Sequence, residues 1–322
     1  MSELTVDIHH HILPPSYVKA LGRRIGHQGL FGAPPAWTPQ SSIEVMGRNG
    51  IQLAVVSVSA PGVWFGEPQE SERLARDCND YAARMKADFP DRLGFFAILP
   101  LPGIDATLRE IERALDVLSA NGVVFMTNYG GVYPGDDAFR PVFEELDRRR
   151  AVLFFHPTAP PYANPLPHIP PPSLEFPFET TRAITSLLYS GTLARCRNAR
   201  FVFAHAGGTI PFLAMRIARL TARPEFARAV TEGVLPSLSR LYFDTALSAN
   251  QFAFDPLLRL TSVSNVLFGS DFPHAGEETL AATLRSLETV GLSEMDLVRI
   301  KGRNAQQLFR CAGSKTKQAY RQ

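Results

Sequence analysis

Asp7-Ile8-His9-His10-His11 closes the first apolar run of the chain. Side chains alternate along a strand, so His9 and His11 face one way and His10 the other. His156 closes a second such run in L-F-F-H-P, and His205 a third in F-V-F-A-H-A-G-G. Asp271 follows a fourth in V-L-F-G-S-D-F-P. Imidazole nitrogens with one carboxylate oxygen suit Zn²⁺ and, less selectively, Mn²⁺ or Fe²⁺. Singly, each signal is weak, because a strand-end histidine is often structural and an aspartate after a strand is a common turn or capping residue. Their coincidence at the ends of apolar runs points to a metal site. His10 is expected to face outward and to anchor a backbone carbonyl or a carboxylate.

The runs that must position these groups are short, rich in Val, Ile or Phe, and bounded by turn residues. They are Leu4–His9, Ile51–Val58, Leu93–Leu99, Gly122–Met126, Val152–His156, Phe201–His205, Leu241–Asp244 and Val266–Gly269. Helical patterns lie between them. In Ala106–Leu118, Leu108, Ile111, Leu115 and Leu118 form one stripe. Ser71–Ala87, Ala138–Arg149, Phe178–Arg195, Ile210–Leu220, Gln251–Leu260 and Glu277–Val290 read as further crossovers, with Glu294–Ile300 and Asn304–Phe309 after the last strand. Eight alternations predict a (β/α)₈ TIM barrel, distorted, with an open doubly wound sheet as the alternative. A barrel gathers the C-terminal ends of its strands on one face, where active sites sit. Residues 1–312 read as this single domain and 313–322 as a polar tail.

Nine of the 26 prolines fall between Pro157 and Pro177. Proline fixes φ and removes a donor, so the stretch is predicted to be neither helix nor inner strand. It begins directly after His156, and the expectation is a stiff loop that covers the site and joins a homodimer contact.

Bulk composition narrows the class. A net charge of +2 from 33 basic and 31 acidic residues gives no general nucleic-acid signature. Cys78, Cys196 and Cys311 are too sparse for a disulfide framework or a thiolate zinc site. No apolar run is long enough to span a membrane and the N-terminus lacks a signal-peptide core, so a cytoplasmic location is expected. Around the strand ends, Trp64, Phe65, Tyr129 and Phe272 could wall a pocket for a flat ring, with His274 as a further substrate contact.

His9-x-His11, His156, His205 and Asp271 match the pattern of the amidohydrolase superfamily, which the sequence resembles. V-D-I-H-x-H-I-L-P, Glu179-Thr180-Thr181, A-H-x-G-G-x-x-P-F (Ala204 to Phe212) and G-S-D-F-P (Gly269 to Pro273) look like its 2-amino-3-carboxymuconate-6-semialdehyde decarboxylase branch. P-G-V-W-F-G, L-A-R-D-C-N-D-Y-A-A and T-N-Y-G-G-V-Y look most like its 6-methylsalicylate-decarboxylase-type members. The resemblance implies His9, His11, His156 and Asp271 as metal ligands, with His205 and Asp271 as the catalytic pair. Two-metal members carry a lysine ending the fourth strand. Here that strand runs Gly122 to Asn128, with no lysine between Lys86 and Lys301, which implies one divalent metal, zinc or alternatively manganese, and no organic cofactor. The branch arginine between the first two strands is missing from Gly29–Pro39, which argues against the muconate substrate. Arg223 is displaced by one position from an arginine that relatives contribute across a dimer.

The implied function is non-oxidative decarboxylation of a small aromatic acid with an ortho hydroxyl, by a homodimer or higher homo-oligomer. The alternatives are a metal-dependent hydrolase or hydratase acting on a lactone, amide or dicarboxylic acid, and a non-catalytic metal-binding barrel.

Overall fold

The computed structural model describes residues 4–28, 34–159 and 166–311. Eight strands alternate with helices: β1 (Val6–His11), β2 (Leu53–Ser57), β3 (Leu93–Ile98), β4 (Gly122–Met126), β5 (Val152–His156), β6 (Arg200–Phe203), β7 (Tyr242–Asp244) and β8 (Val266–Leu267). They pair in sequence order, every pair parallel. The Ile8 N–H donates to the Phe268 carbonyl at 3.0 Å, and His10 bridges to Phe272, bringing the last strand back to the first. This is the expected (β/α)₈ barrel. Both faces of its strands are buried, as a parallel sheet wrapped by helices requires.

The first six helices are α1 (Pro15–Gln28), α2 (Pro39–Arg48), α3 (Pro68–Asp88), α4 (Ile104–Glu112), α5 (Arg140–Arg148) and α6 (Pro171–Tyr189). The amphipathic run after β3 continues beyond α4 as a π-helical turn, Arg113–Val117. Strand alternation sorts the phenylalanines. On β5, Phe155 packs outward against Phe125 and Phe203 at 5.0 and 4.7 Å. Phe154 turns inward, 5.4 Å from Phe96, which reaches Phe309 of the helix Asn304–Cys311 at 6.1 Å.

The proline stretch departs from expectation. Residues 160–165, the middle of the stretch expected to cover the site and join a homodimer contact, are outside the described residues, as is the tail 313–322. The later prolines are helical: α6 starts at Pro171, seven residues before the predicted Phe178, and contains Pro177. A helix's first turn has no use for its N–H groups, so Pro171 and Pro172 cost nothing there. Pro177 lies further in, where the ring denies the Ser173 carbonyl its partner. The predicted C-terminal part of this helix is a separate turn, Thr192–Arg195, after Gly191 at φ +74°.

Candidate metal centre

His9 and His11 end β1, His156 ends β5, and Asp271 lies four residues past β8, so barrel closure alone converges them. One ligand atom from each of His9, His11, His156 and Asp271 lies within 4.8 Å of the others, and all four residues are buried. His9 Nε2 and His11 Nε2 are 3.0 Å apart, and Asp271 Oδ1 is 3.3 and 3.1 Å from them.

Each imidazole spends its other nitrogen on an acceptor. His9 Nδ1 donates to Asp244 Oδ2 at 2.7 Å, His11 Nδ1 to the Ser57 carbonyl at 3.2 Å, and His156 Nδ1 to the Pro157 carbonyl at 2.8 Å. With the protons on Nδ1, all three Nε2 lone pairs are free, and two of them face each other at 3.0 Å. A divalent cation suits this arrangement, and acceptors of this kind fix the tautomer of metal-bound histidines. The residues present therefore fit the implied metal.

Burial pulls His9 down, but Asp244 and Asp271 reverse that and raise its pKa to about 10, so a cation bound at Nε2 would do so by displacing a proton. His11 has less carboxylate support, and burial takes it down to about 3. Burial also holds His156 well below its ordinary value. For Asp271 burial favours the neutral acid, yet His9, His11 and His205 hold it well below the usual carboxylate range.

His205 begins a short turn directly beyond β6 rather than ending the strand. Its ring lies 5.0 Å from that of His9, and its Nε2 is 3.6 Å from Asp271 Oδ2. Among the described residues that Nε2 is buried without a hydrogen-bond partner. His205, Ala206 and Asp271 all have positive φ, at 55°, 55° and 62°. Non-glycine residues rarely adopt this region, and such strain gathers at functional sites.

Two supporting carboxylates escaped the sequence reading. Asp244, the last residue of β7, accepts from His9 Nδ1 and, through Oδ1, from the His205 and Ala246 backbone N–H groups at 2.9 and 3.0 Å. Its signal was visible: it is a carboxylate ending a barrel strand on the same face as the ligands. Asp7 accepts from His10 Nδ1 at 3.0 Å and from the Ser270 hydroxyl at 2.6 Å. His10 faces away from the ligands, as expected, and its Nε2 meets the Ser42 hydroxyl of α2 at 2.9 Å. Strict alternation would have put Asp7 with His9 and His11. An extra residue in β1 between Asp7 and His10 moves it to the other face.

The predicted pocket residues are placed unevenly. His274 lies at the rim, its ring 5.3 Å from His11 and its Nε2 2.7 Å from the Ser59 hydroxyl. Trp64 and Phe65 are half-buried on the loop after β2. Tyr129 is buried, with its hydroxyl accepting from the Met126 N–H at 3.0 Å and its ring against Phe139. Phe272 packs 5.1 Å from His10, on the outward side of β1. Arg223 is exposed ahead of the turn Pro224–Ala227, and His168 is exposed before α6.

Comparison with known proteins agrees with this geometry. Decarboxylase macB of Penicillium terrestre is 37% identical over 292 residues, 85% of this chain and 86% of its own. The 6-methylsalicylic acid decarboxylase acuB of Aspergillus aculeatus is 36% identical over 317 residues, covering 95% of this chain and 96% of its own. A crystal structure of an amidohydrolase II superposes with a TM-score of 0.90 at 30% identity, over 95% of this chain and 99% of its own. The amidohydrolase family pattern matches residues 6–311, and with a parallel eight-stranded barrel carrying His9, His11, His156 and Asp271 at one mouth, the chain belongs to the amidohydrolase family.

Proposed function

We propose that this chain is a metal-dependent, non-oxidative decarboxylase of an aromatic acid with an ortho hydroxyl, of the 6-methylsalicylate type. One observation carries the reaction class: 36% identity to a 6-methylsalicylic acid decarboxylase over 95% of the chain. His9, His11, His156 and Asp271 would hold a divalent ion, zinc by donor type, which would supply Lewis-acid chemistry for an acidic substrate.

The protein's own groups handle the proton. His205 Nε2, buried and unpartnered beside the ligand set, delivers a proton to the ring carbon that bears the carboxylate. That carbon–carbon bond then breaks, its electron pair returns to the ring, and the carboxylate carbon leaves as CO₂. The proton therefore replaces the carboxylate, and no oxidant or organic cofactor is consumed. Asp271, held ionised, faces His205 with its Oδ2 3.6 Å from Nε2. Trp64, Phe65 and His274 are the proposed substrate contacts, with Tyr129 and Phe272 supporting the wall from behind.

No helix among the described residues is long and apolar enough to cross a membrane. We assign the chain to the cytoplasm as a homodimer or higher homo-oligomer, with Arg223 near the contact. Phe212 and Phe252, 82% and 95% exposed, support such a contact.

The test is metal analysis of the purified protein with CO₂ and phenol detection across hydroxybenzoates. CO₂ release from a 2-hydroxybenzoate that stops on chelation and returns with Zn²⁺ or Mn²⁺ is expected. Metal-loaded protein that releases no CO₂ from any of them but opens a lactone would overturn the reading.

A further inference from the structure

The Glu179-Thr180-Thr181 motif lies in α6 and touches none of the ligands directly. Glu179 is nonetheless a buried carboxylate and Thr181 a buried hydroxyl, which calls for an account of their partners. At 3.6 residues per turn, positions two apart on a helix point about 200° apart. Glu179 and Thr181 accordingly reach opposite neighbours.

Glu179 reaches back towards β4. Its Oε1 accepts from the Tyr133 hydroxyl at 2.8 Å and its Oε2 from Asn128 Nδ2 at 2.9 Å. Asn128 Nδ2 also donates to the Thr158 carbonyl at 3.1 Å. Thr127 clamps the same residue, accepting from the Thr158 N–H at 2.9 Å and donating to its carbonyl at 3.3 Å. Thr158 directly follows Pro157, whose carbonyl holds the His156 tautomer. Burial raises the Glu179 carboxyl above its ordinary range, against the pull of its Tyr133 and Asn128 hydrogen bonds.

Thr181 reaches forward to the His205 turn. Its hydroxyl donates to the Pro177 carbonyl at 2.8 Å and accepts from the Thr209 N–H and hydroxyl at 2.9 and 2.8 Å, which uses its one donor and two acceptor sites. His205, Ala206, Gly207 and Gly208 all have positive φ, and a Cβ on Gly208 would stand 2.1 Å from the Pro177 carbonyl. Asp244 pins the start of this turn and Thr181 its end.

We propose that Glu179 and Thr181 are positioning residues with separable tasks. Glu179 fixes the loop that orients the ligand His156, and Thr181 fixes the turn that aims His205. The inference rests on the metal-site reading and on the role of His205 given above.

Three variants of the full chain test it: Glu179→Gln, Thr181→Val and Thr181→Ser. Glutamine keeps an acceptor for only one of the two donors, Asn128 Nδ2 or the Tyr133 hydroxyl, and turns an N–H₂ towards the other. Glu179→Gln is expected to weaken Zn²⁺ binding about 10-fold or more, measured without substrate by competition with a chromogenic chelator. Its kcat at saturating metal should stay within about threefold of the parent. Thr181→Val should leave metal affinity unchanged, lower kcat about 10-fold with little change in KM, and displace the kcat–pH profile, with Thr181→Ser restoring both. Should Glu179→Gln fail to fold, Tyr133→Phe removes one bond to the same carboxylate and should weaken metal binding in the same direction. Unchanged metal affinity in the Glu179 and Tyr133 variants, or equal loss of metal affinity in both arms, would overturn the proposal. The chelator arm needs no turnover, so a failure of the decarboxylase reading leaves it intact and recognisable.

Discussion

The mouth of the barrel and its lower interior are held together by different forces. Below, a column of rings runs from Phe154 through Phe96 to Phe309, all buried and all apolar. Such packing is stabilised by burial and close contact alone. Above, His9, His11, His156, His205, Asp244 and Asp271 are buried too, yet every one carries a polar group largely taken out of water. Unpaired burial of that kind is costly, so the mouth depends on hydrogen bonds, and its donors suit a cation. His9 is where the two regions meet, its ring 5.0 Å from Phe154 and its Nδ1 on Asp244. The comparison assigns stability to the column and chemistry to the mouth.

The sharpest way to break this division is to remove a ligand. His156→Ala is expected to lose bound metal and to drop CO₂ release at least about 10³-fold, with an unchanged far-ultraviolet circular dichroism spectrum. Collapse of the fold instead would show that the mouth carries stability too. The converse substitution lies below. Phe96→Ala should cost about 3–5 kcal/mol in urea unfolding of the metal-free protein, while kcat of the folded fraction stays within a few-fold. Asp244→Asn is an intermediate case. It keeps the side-chain shape but loses the charge that orients His9 and the His205 backbone, so metal affinity should fall about 10–100-fold, read by chelator competition.

The smallest effect lies outside both regions, on the surface of α5. Arg148, with Arg149, holds the Glu145 carboxyl down to about 2. A carboxylate with a depressed folded-state pKa stabilises the fold above its unfolded value, and that contribution is lost as pH falls through the folded one. Glu145→Gln should therefore lower stability by no more than about 0.5 kcal/mol near neutrality, given solvent screening, and the gap should close as the pH falls from about 4.5 to 2. Urea midpoints of both proteins across that range check it, and a gap that widens on acidification would contradict the sign.

Much of this was legible in the chain. The eight strands were found nearly in place because period and composition are local, and the candidate ligands His9, His11, His156 and Asp271 were legible because they stand at or just beyond strand ends. What escaped was of two kinds. The helical part of the proline stretch was missed because proline's cost depends on position within a helix, and the start of α6 is set by what it packs against. Asp244 was overlooked although it ends a strand on the ligand face, and Asp7 was missed because the extra residue in β1 that turns it to His10 leaves no mark in the pattern.

The amino-acid sequence by itself determined the barrel, the face on which its strands end and the residue types delivered there, since a parallel sheet brings every strand's C-terminal end to one side. Only the tertiary structure decided which nitrogen of each histidine is free. That choice rests on acceptors such as Asp244, 235 residues from His9, and on one extra residue in β1 that turns Asp7 to His10. Hydrogen bonds act over about 3 Å whatever the separation along the chain, so the chain order holds no record of them until it folds.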